Sequence, residues 1–118
     1  VEPSAHNDIA RTLETGAIQR NAPGIRSICD GLLSDSIGAL PYAIARKRFA
    51  GAASVDDEAV RRAMKFAFRH LKLVLEPSGA ASLAAVLDGG ANITNKTVVI
   101  IASGGNVDPE TFVAAIAD

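Results

Sequence analysis

The most regular alternation of apolar and polar positions lies in the middle of the chain. Between Asp57 and about Leu73, residues Ala59, Val60, Ala63, Phe66, Ala67, His70, Leu71 and Val74 recur at helical spacing and line one broad face. Arg61, Arg62, Lys65, Arg69 and Lys72 mostly fall outside that face and read as its solvated side. Asp56 stands at the N-cap position. Asp57 and Glu58 occupy the first turn, where the helix dipole favours carboxylates. Pro77 then redirects the backbone, and Ser78 to Leu87 resumes as an alanine-rich helix whose small residues permit close packing, ended by Gly89 and Gly90. Thr97 to Ala102 is a continuous apolar run, the pattern of a strand buried on both faces. A last helix is expected behind Asp108, with Pro109 at its first position and Glu110 in its first turn.

The first half is less regular. A short amphipathic helix is predicted from Ser4 to Glu14, with Ser4 as its cap and Gly16 as its stop. Residues 17 to 31 mix Asn, Pro, Gly, Ser and Asp with isolated Ile, which makes them a loop crossing the fold. Ser36 to Phe49 reads as a second helix with Ile37, Leu40, Ile44 and Ala45 as its apolar positions. Pro41 belongs in its first turn, and Arg46, Lys47 and Arg48 suit its C-terminal dipole. Gly51 to Val55 is a candidate short strand. Strand, glycine turn and helix together define an open α/β fold, in which ligands sit outside the C-terminal ends of the strands. Two or three strands are few for a free-standing sheet. With no initiating methionine and with Val1-Glu2-Pro3 reading like a strand end, a piece of a larger protein is expected.

Composition narrows the function classes. The 118 residues carry 12 Lys+Arg against 13 Asp+Glu, so charge gives no case for binding nucleic acid or an anionic membrane. An apolar share of 48% is enough for a core, and one cysteine, Cys29, excludes an internal disulfide. No apolar run approaches the length of a membrane span.

Candidate chemistry collects at a few turns. Ser103-Gly104-Gly105-Asn106 follows the apolar run. Its glycines allow a tight turn and close approach to a ligand, and its serine both donates and accepts; a plain strand-to-helix turn is the alternative. Glu76, beside the chain reversal at Pro77, is either a solvated turn residue or a carboxylate pointing into a cleft. Glu2 and Asp8, six residues apart across a strand end and a first helical turn, have the hard-oxygen character that suits Mg²⁺, Mn²⁺ or Ca²⁺. His6 reads as a surface residue near the cap, His70 as a helical residue at the core edge, and Cys29 as a small packed side chain with no base near it in sequence. A phosphate-binding P-loop, a dinucleotide fingerprint, a zinc set and a nucleophile elbow are all absent from these residues.

Four segments in order, Val1-Glu2-Pro3-Ser4, Ile28-Cys29-Asp30-Gly31, Leu75-Glu76-Pro77-Ser78-Gly79-Ala80 and Ser103-Gly104-Gly105-Asn106-Val107-Asp108, resemble the C-terminal part of the serine/threonine dehydratase and serine racemase family. These are pyridoxal-phosphate enzymes of the tryptophan-synthase-β fold type. The resemblance implies that residues 1–118 form the C-terminal portion of the large, cofactor-binding domain, an open sheet flanked by helices. It implies that Ser103 meets the pyridine nitrogen of pyridoxal 5'-phosphate, that Gly104 and Gly105 give the ring room, and that Glu76 lies near the ring. Gly31 would be a cofactor-side backbone position, with Asp30 fixing its loop. Cys29 stands where the family commonly has alanine. Glu2, Asp8 and the backbone carbonyl of His6 match the family's divalent metal site, with a structural and allosteric role.

The family's Schiff-base lysine and its phosphate-binding Gly-rich loop lie upstream of these motifs. Lys47, Lys65, Lys72 and Lys96 are the only lysines here, and none stands in that context. The resemblance therefore implies a fragment that is inactive alone and is completed by the N-terminal remainder, in a cytoplasmic, homodimeric enzyme. That enzyme would convert a hydroxyamino acid such as L-threonine or L-serine to a 2-oxo acid and ammonia. Serine racemase and 3-hydroxyaspartate dehydratase are the alternatives within the family, and a non-catalytic α/β binding module is the alternative outside it.

Overall fold

The computed structural model describes residues 1–117, a flattened body of 41 × 39 × 19 Å. Its elements in chain order are β1 (Glu2–Pro3), α1 (Asp8–Thr15), α2 (Ala39–Arg48), β2 (Ser54–Val55), α3 (Asp57–Phe66), α4 (Pro77–Leu87) and α5 (Pro109–Ile116). Single 3₁₀ turns at Ser4–His6 and Asp30–Leu32, and a π-turn at Ala67–Leu71, complete it. β1 and β2 pair in parallel, Glu2 opposite Ser54 and Pro3 opposite Val55. The result is the mostly helical, open-sheet α/β architecture expected from the sequence.

The core is the seam between α3 and α4, with α5 against α3. α3 contributes Ala59, Val60, Ala63 and Met64, and α4 contributes Ala80, Ala81, Leu83, Ala84 and Ala85, all buried. Alanines on the facing stripe of α4 let the two axes approach closely, and Met64 fills the gap between them as the largest fully buried side chain. The caps read from sequence are made. Asp56 accepts from the Ala59 N–H at 2.7 Å, Asp108 accepts from Glu110 and Thr111 N–H at 3.3 and 2.9 Å, and Pro77 and Pro109 open their helices. Gly16 ends α1 in the left-handed region, its N–H donating to the Thr12 carbonyl.

Four expectations change. α1 begins at Asp8 rather than Ser4, and Ser4 caps nothing, because the carboxylate of Glu2 takes the free N–H groups of Ile9 and Ala10 at 2.9 and 2.8 Å. The central helix is α-helical only to Phe66. The π-turn that follows adds a residue to the turn and breaks the 3.6-residue period, and His70, Leu71 and Val74 are exposed; Met64, four residues after Val60, joins the buried stripe of α3. α2 starts at Ala39, with Pro41 in its first turn as expected, but of its apolar residues only Ala45 is buried; Leu40 is 74% exposed and Ile44 54%.

The fourth change concerns residues 97 to 102. They form no strand here, and Val99 and Ile101 are 87% and 73% exposed. Only Ile100 packs against the core from this run. A buried parallel strand exists only between partner strands that take its N–H and C=O groups, and among the described residues the one ladder is β1–β2.

Candidate functional site

Three of the motif segments meet at the start of α4. The Glu76 N–H donates to the Gly104 carbonyl at 3.0 Å, joining the residue before α4 to the glycine turn. Gly79, in the first turn of α4, lies directly against Gly104; a Cβ on it would stand 2.6 Å from the Gly104 carbonyl oxygen and 2.8 Å from its nitrogen. The space that a Cβ on Gly104 would take is filled by the carboxylate of Glu76, and a Cβ on Gly105 would come within 2.8 Å of the Val74 carbonyl. The third segment arrives through Gly31, whose N–H is shared between Asp30 Oδ1 at 2.8 Å and Ser78 Oγ at 3.0 Å. Glycine is needed at 79 and 105 because neighbouring backbone already occupies the volume of a side chain.

The loop that carries Gly31 is anchored from below. Ser27 Oγ donates to Asp57 Oδ1 at 2.6 Å and accepts from the Cys29 N–H at 3.2 Å, while the Ile28 N–H donates to Asp57 Oδ2 at 3.3 Å. Asp57 thus does more than complement the dipole of α3. Cys29 is fully buried, and that burial pushes its thiol from 9.0 up to about 11, so it is a protonated packing residue.

Asp30, Glu76 and Asn106 border a cleft of about 280 Å³, closed by Ile28, Pro77 and Thr111. This is slightly below the range of small-molecule sites, roughly 300 Å³ upward. Ser103 stands outside that lining and is exposed, immediately before Gly104. The Glu76 carboxylate and the Asp30 loop at the cleft, with the Ser103 hydroxyl exposed next to Gly104 in the chain, are polar groups of the kind that would suit the edge of a pyridine ring. The four lysines do not enter it. Lys65, Lys72 and Lys96 donate to the carbonyls of Ala117, Arg69 and Asn92, and Lys47 lies in the exposed last turn of α2.

The acidic pair is a separate place. Glu2 and Asp8 are both buried. Burial raises the Glu2 carboxyl above its ordinary value, the Ile9 and Ala10 N–H groups oppose the rise, and the charge of Asp8 adds to it. Asp8 accepts from Asn21 Nδ2 and from the Ile37 N–H, each at 2.7 Å. Neutral donors thus satisfy all four carboxylate oxygens of the pair. Among the described residues no three His, Cys, Asp or Glu side chains gather as a metal site. A cation here would rest on two carboxylates, the His6 carbonyl and solvent. His6 itself is buried rather than on the surface, and its Nδ1 has no hydrogen-bond partner. His70 is exposed and lies over Phe66, ring centres 4.7 Å apart.

Against known proteins, residues 1–104 match the family described as pyridoxal-phosphate dependent enzyme. The chain belongs to that family, in its fold-type II serine/threonine dehydratase and racemase branch, whose cofactor is pyridoxal 5'-phosphate. It is 38% identical over 110 residues to serine racemase of Dictyostelium discoideum, covering 91% of this chain and 34% of that protein. To L-threo-3-hydroxyaspartate ammonia-lyase of Pseudomonas sp it is 32% identical over 117 residues, covering 98% and 36%. The crystal structure of a T.th. threonine deaminase superposes with a TM-score of 0.85 at 40% identity, over 91% of this chain and 39% of that one. Maize serine racemase superposes with a TM-score of 0.84 at 34% identity, over 98% and 36%. The chain spans roughly a third of the length of these relatives. No helix among the described residues is long and apolar enough to cross a membrane.

Of the residues that sequence reasoning named, Glu76 and Gly104 touch directly, Gly31 joins them through Ser78, Gly105 lies against Val74, and Ser103 is exposed beside Gly104 in the chain. That reasoning missed Ser27 and Asp57, which anchor the loop. Their polarity is ordinary, and no local spacing links residues so far apart in the chain. It also gave no role to Ser78 and Gly79, although both lie inside a motif that it quoted.

Proposed function

We propose that this chain is the C-terminal part of the large domain of a pyridoxal-phosphate-dependent ammonia-lyase that turns a hydroxyamino acid, such as L-threonine or L-serine, into a 2-oxo acid and ammonia. The observation that supports it most is the convergence of the Gly31, Glu76 and Ser103-Gly104-Gly105 segments, the last two through backbone contacts and the first through the Ser78 hydroxyl. When bound, the cofactor supplies an electron sink for negative charge developing at the substrate Cα. The Ser103 hydroxyl accommodates the ring nitrogen without fixing a positive charge on it, which tempers that sink and suits loss of a β-substituent. Glu76, held against Gly104, orients polar groups beside the ring, and Gly31 offers a fixed backbone edge. The proton-moving lysine and the phosphate loop come from the N-terminal remainder, the chain's first partner; a second copy of the complete enzyme is the other.

The similarity to serine racemases and 3-hydroxyaspartate ammonia-lyases favours a second reading within the same chemistry. Racemisation needs an acid/base on the opposite face of the substrate, which none of these residues supplies. One assay on the complete enzyme separates the readings: 2-oxo acid release from serine, threonine and 3-hydroxyaspartate, with chiral analysis of recovered serine. Release from threonine or serine without racemised product is expected; racemised serine with little oxo acid would overturn the lyase reading. Ser103→Ala should alter cofactor absorption and lower turnover, and an unchanged spectrum and rate would remove Ser103 from its role. Glu2, Asp8 and the His6 carbonyl are the proposed divalent-cation ligands. Glu2→Gln should abolish the thermal shift produced by added Mg²⁺, Mn²⁺ or Ca²⁺, and equal shifts in variant and parent would refute the site.

A further inference from the structure

Ser78 is the side chain that ties the Gly31 loop to α4. Its Oγ lies 3.0 Å from the Gly31 nitrogen, across 47 residues of sequence. The other acceptor of that N–H, Asp30 Oδ1, belongs to the preceding residue and moves with the loop. Asp30 shapes the loop locally; Ser78 fixes where the loop stands relative to Glu76, two residues before Ser78 in the chain. The fit is tight on the loop side as well, since a Cβ on Gly31 would come within 3.1 Å of Ser78 Oγ. On the α4 side, Glu76 and Gly79 are pinned to Gly104. Ser78 therefore closes a triangle whose corners are the three segments of the site.

We infer that Ser78 is a positioning residue for the cofactor: its hydroxyl holds the Gly31 loop in register with Glu76, so that both edges reach the ring together. The inference rests on the proposed pyridoxal-phosphate reading and deepens it. In Ser78→Ala the Gly31 N–H keeps Asp30 as its acceptor, so no buried donor is orphaned and the fold is little affected. What is lost is the direct link between the Gly31 N–H and α4, while Ser27, Asp57 and the buried Cys29 still hold the loop's base. The Gly31 edge is then set less closely against Glu76.

The test uses the complete enzyme, titrated with pyridoxal 5'-phosphate, with fluorescence polarisation of the bound cofactor and the melting temperature of the cofactor-free form as readouts. Ser78→Ala should weaken cofactor binding about fivefold, the effect of one ordinary hydrogen bond. It should also lower the polarisation while leaving the cofactor-free melting temperature within about 2 °C. Ser78→Thr, which keeps the hydroxyl, should restore both affinity and polarisation. Parent-like binding by Ser78→Ala overturns the inference, as does a Ser78→Thr variant that behaves like alanine, or a large fall in melting temperature that makes the role merely structural. A parent enzyme that takes up no pyridoxal phosphate overturns the proposed function, and this inference with it. A parent that binds while Ser78→Ala binds equally well removes only the inference.

Discussion

The α3–α4 seam and the run from residue 97 to 102 are both rich in apolar residues, the run more so, and have opposite fates. In the seam the apolar side chains on the facing stripes are buried against one another, down to the alanines of α4. In the run, Val99 and Ile101 face solvent, and α2 repeats the pattern with Leu40 and Ile44. Hydrophobic residues scattered singly on a surface are ordinary, but an apolar run and an apolar helix face left open together mark surface built for more protein. The seam is complete within this chain. The run and the face of α2 are left open, in a chain that spans about a third of the length of its relatives.

That contrast can be broken most directly by two large-effect substitutions. Met64→Ala empties the centre of the seam and should cost about 3 kcal/mol, as core truncations do. The denaturant midpoint measures it, and a loss below about 1 kcal/mol would mean that the seam is not the stabilising unit. Gly79→Ala should cost about 2 kcal/mol or more by the same measurement, because its Cβ would stand 2.6 Å from a backbone oxygen that cannot swing away.

Val99→Asp sharpens the other side. Within this chain it should change stability by no more than about 0.5 kcal/mol, as surface substitutions do. In the complete enzyme it should impair folding, because a charge would enter a covered sheet; equal tolerance in both would show the run to be plain surface.

The smallest effect concerns Cys29. Its thiol holds its proton to about 11 in the folded chain, whereas in the unfolded chain it loses it near 9.0. The stability this contributes is complete below pH 9 and disappears as pH rises through 11. The parent's advantage over Cys29→Ala should shrink across that window in pH-dependent unfolding, and the thiol should resist alkylation at about pH 8 until the chain unfolds. Alkylation of the folded chain at that pH would show the site to be open.

What the sequence made legible follows the range of the forces involved. Asp56, Asp108, Pro109 and Gly16 act on their own helix ends, and each did what its local chemistry predicts; Pro77, read as redirecting the chain, instead opens α4 as its first residue. The four quoted motifs were legible as a resemblance, and three of them meet at the start of α4. The π-turn was not legible, since Ala67 to Leu71 carries no glycine or proline and its extra residue is set by packing. Lys72 then closes the turn in the left-handed region at φ 59°, a conformation its residue type does not announce. The strand at 97–102 failed for the opposite reason. Its residues are right for a buried strand, but strand formation depends on neighbours outside these residues.

The contact between Gly79 and Gly104 has a mechanical meaning. Two backbones touch there with no side chain between them, so the joint has no rotamers through which to yield. A shift of α4 along its axis would therefore have to carry the glycine turn with it or open the contact. Whatever presses on the far end of α4, where Arg62 and Asp88 form an ion pair at the surface, presses through that stiff joint on the same turn.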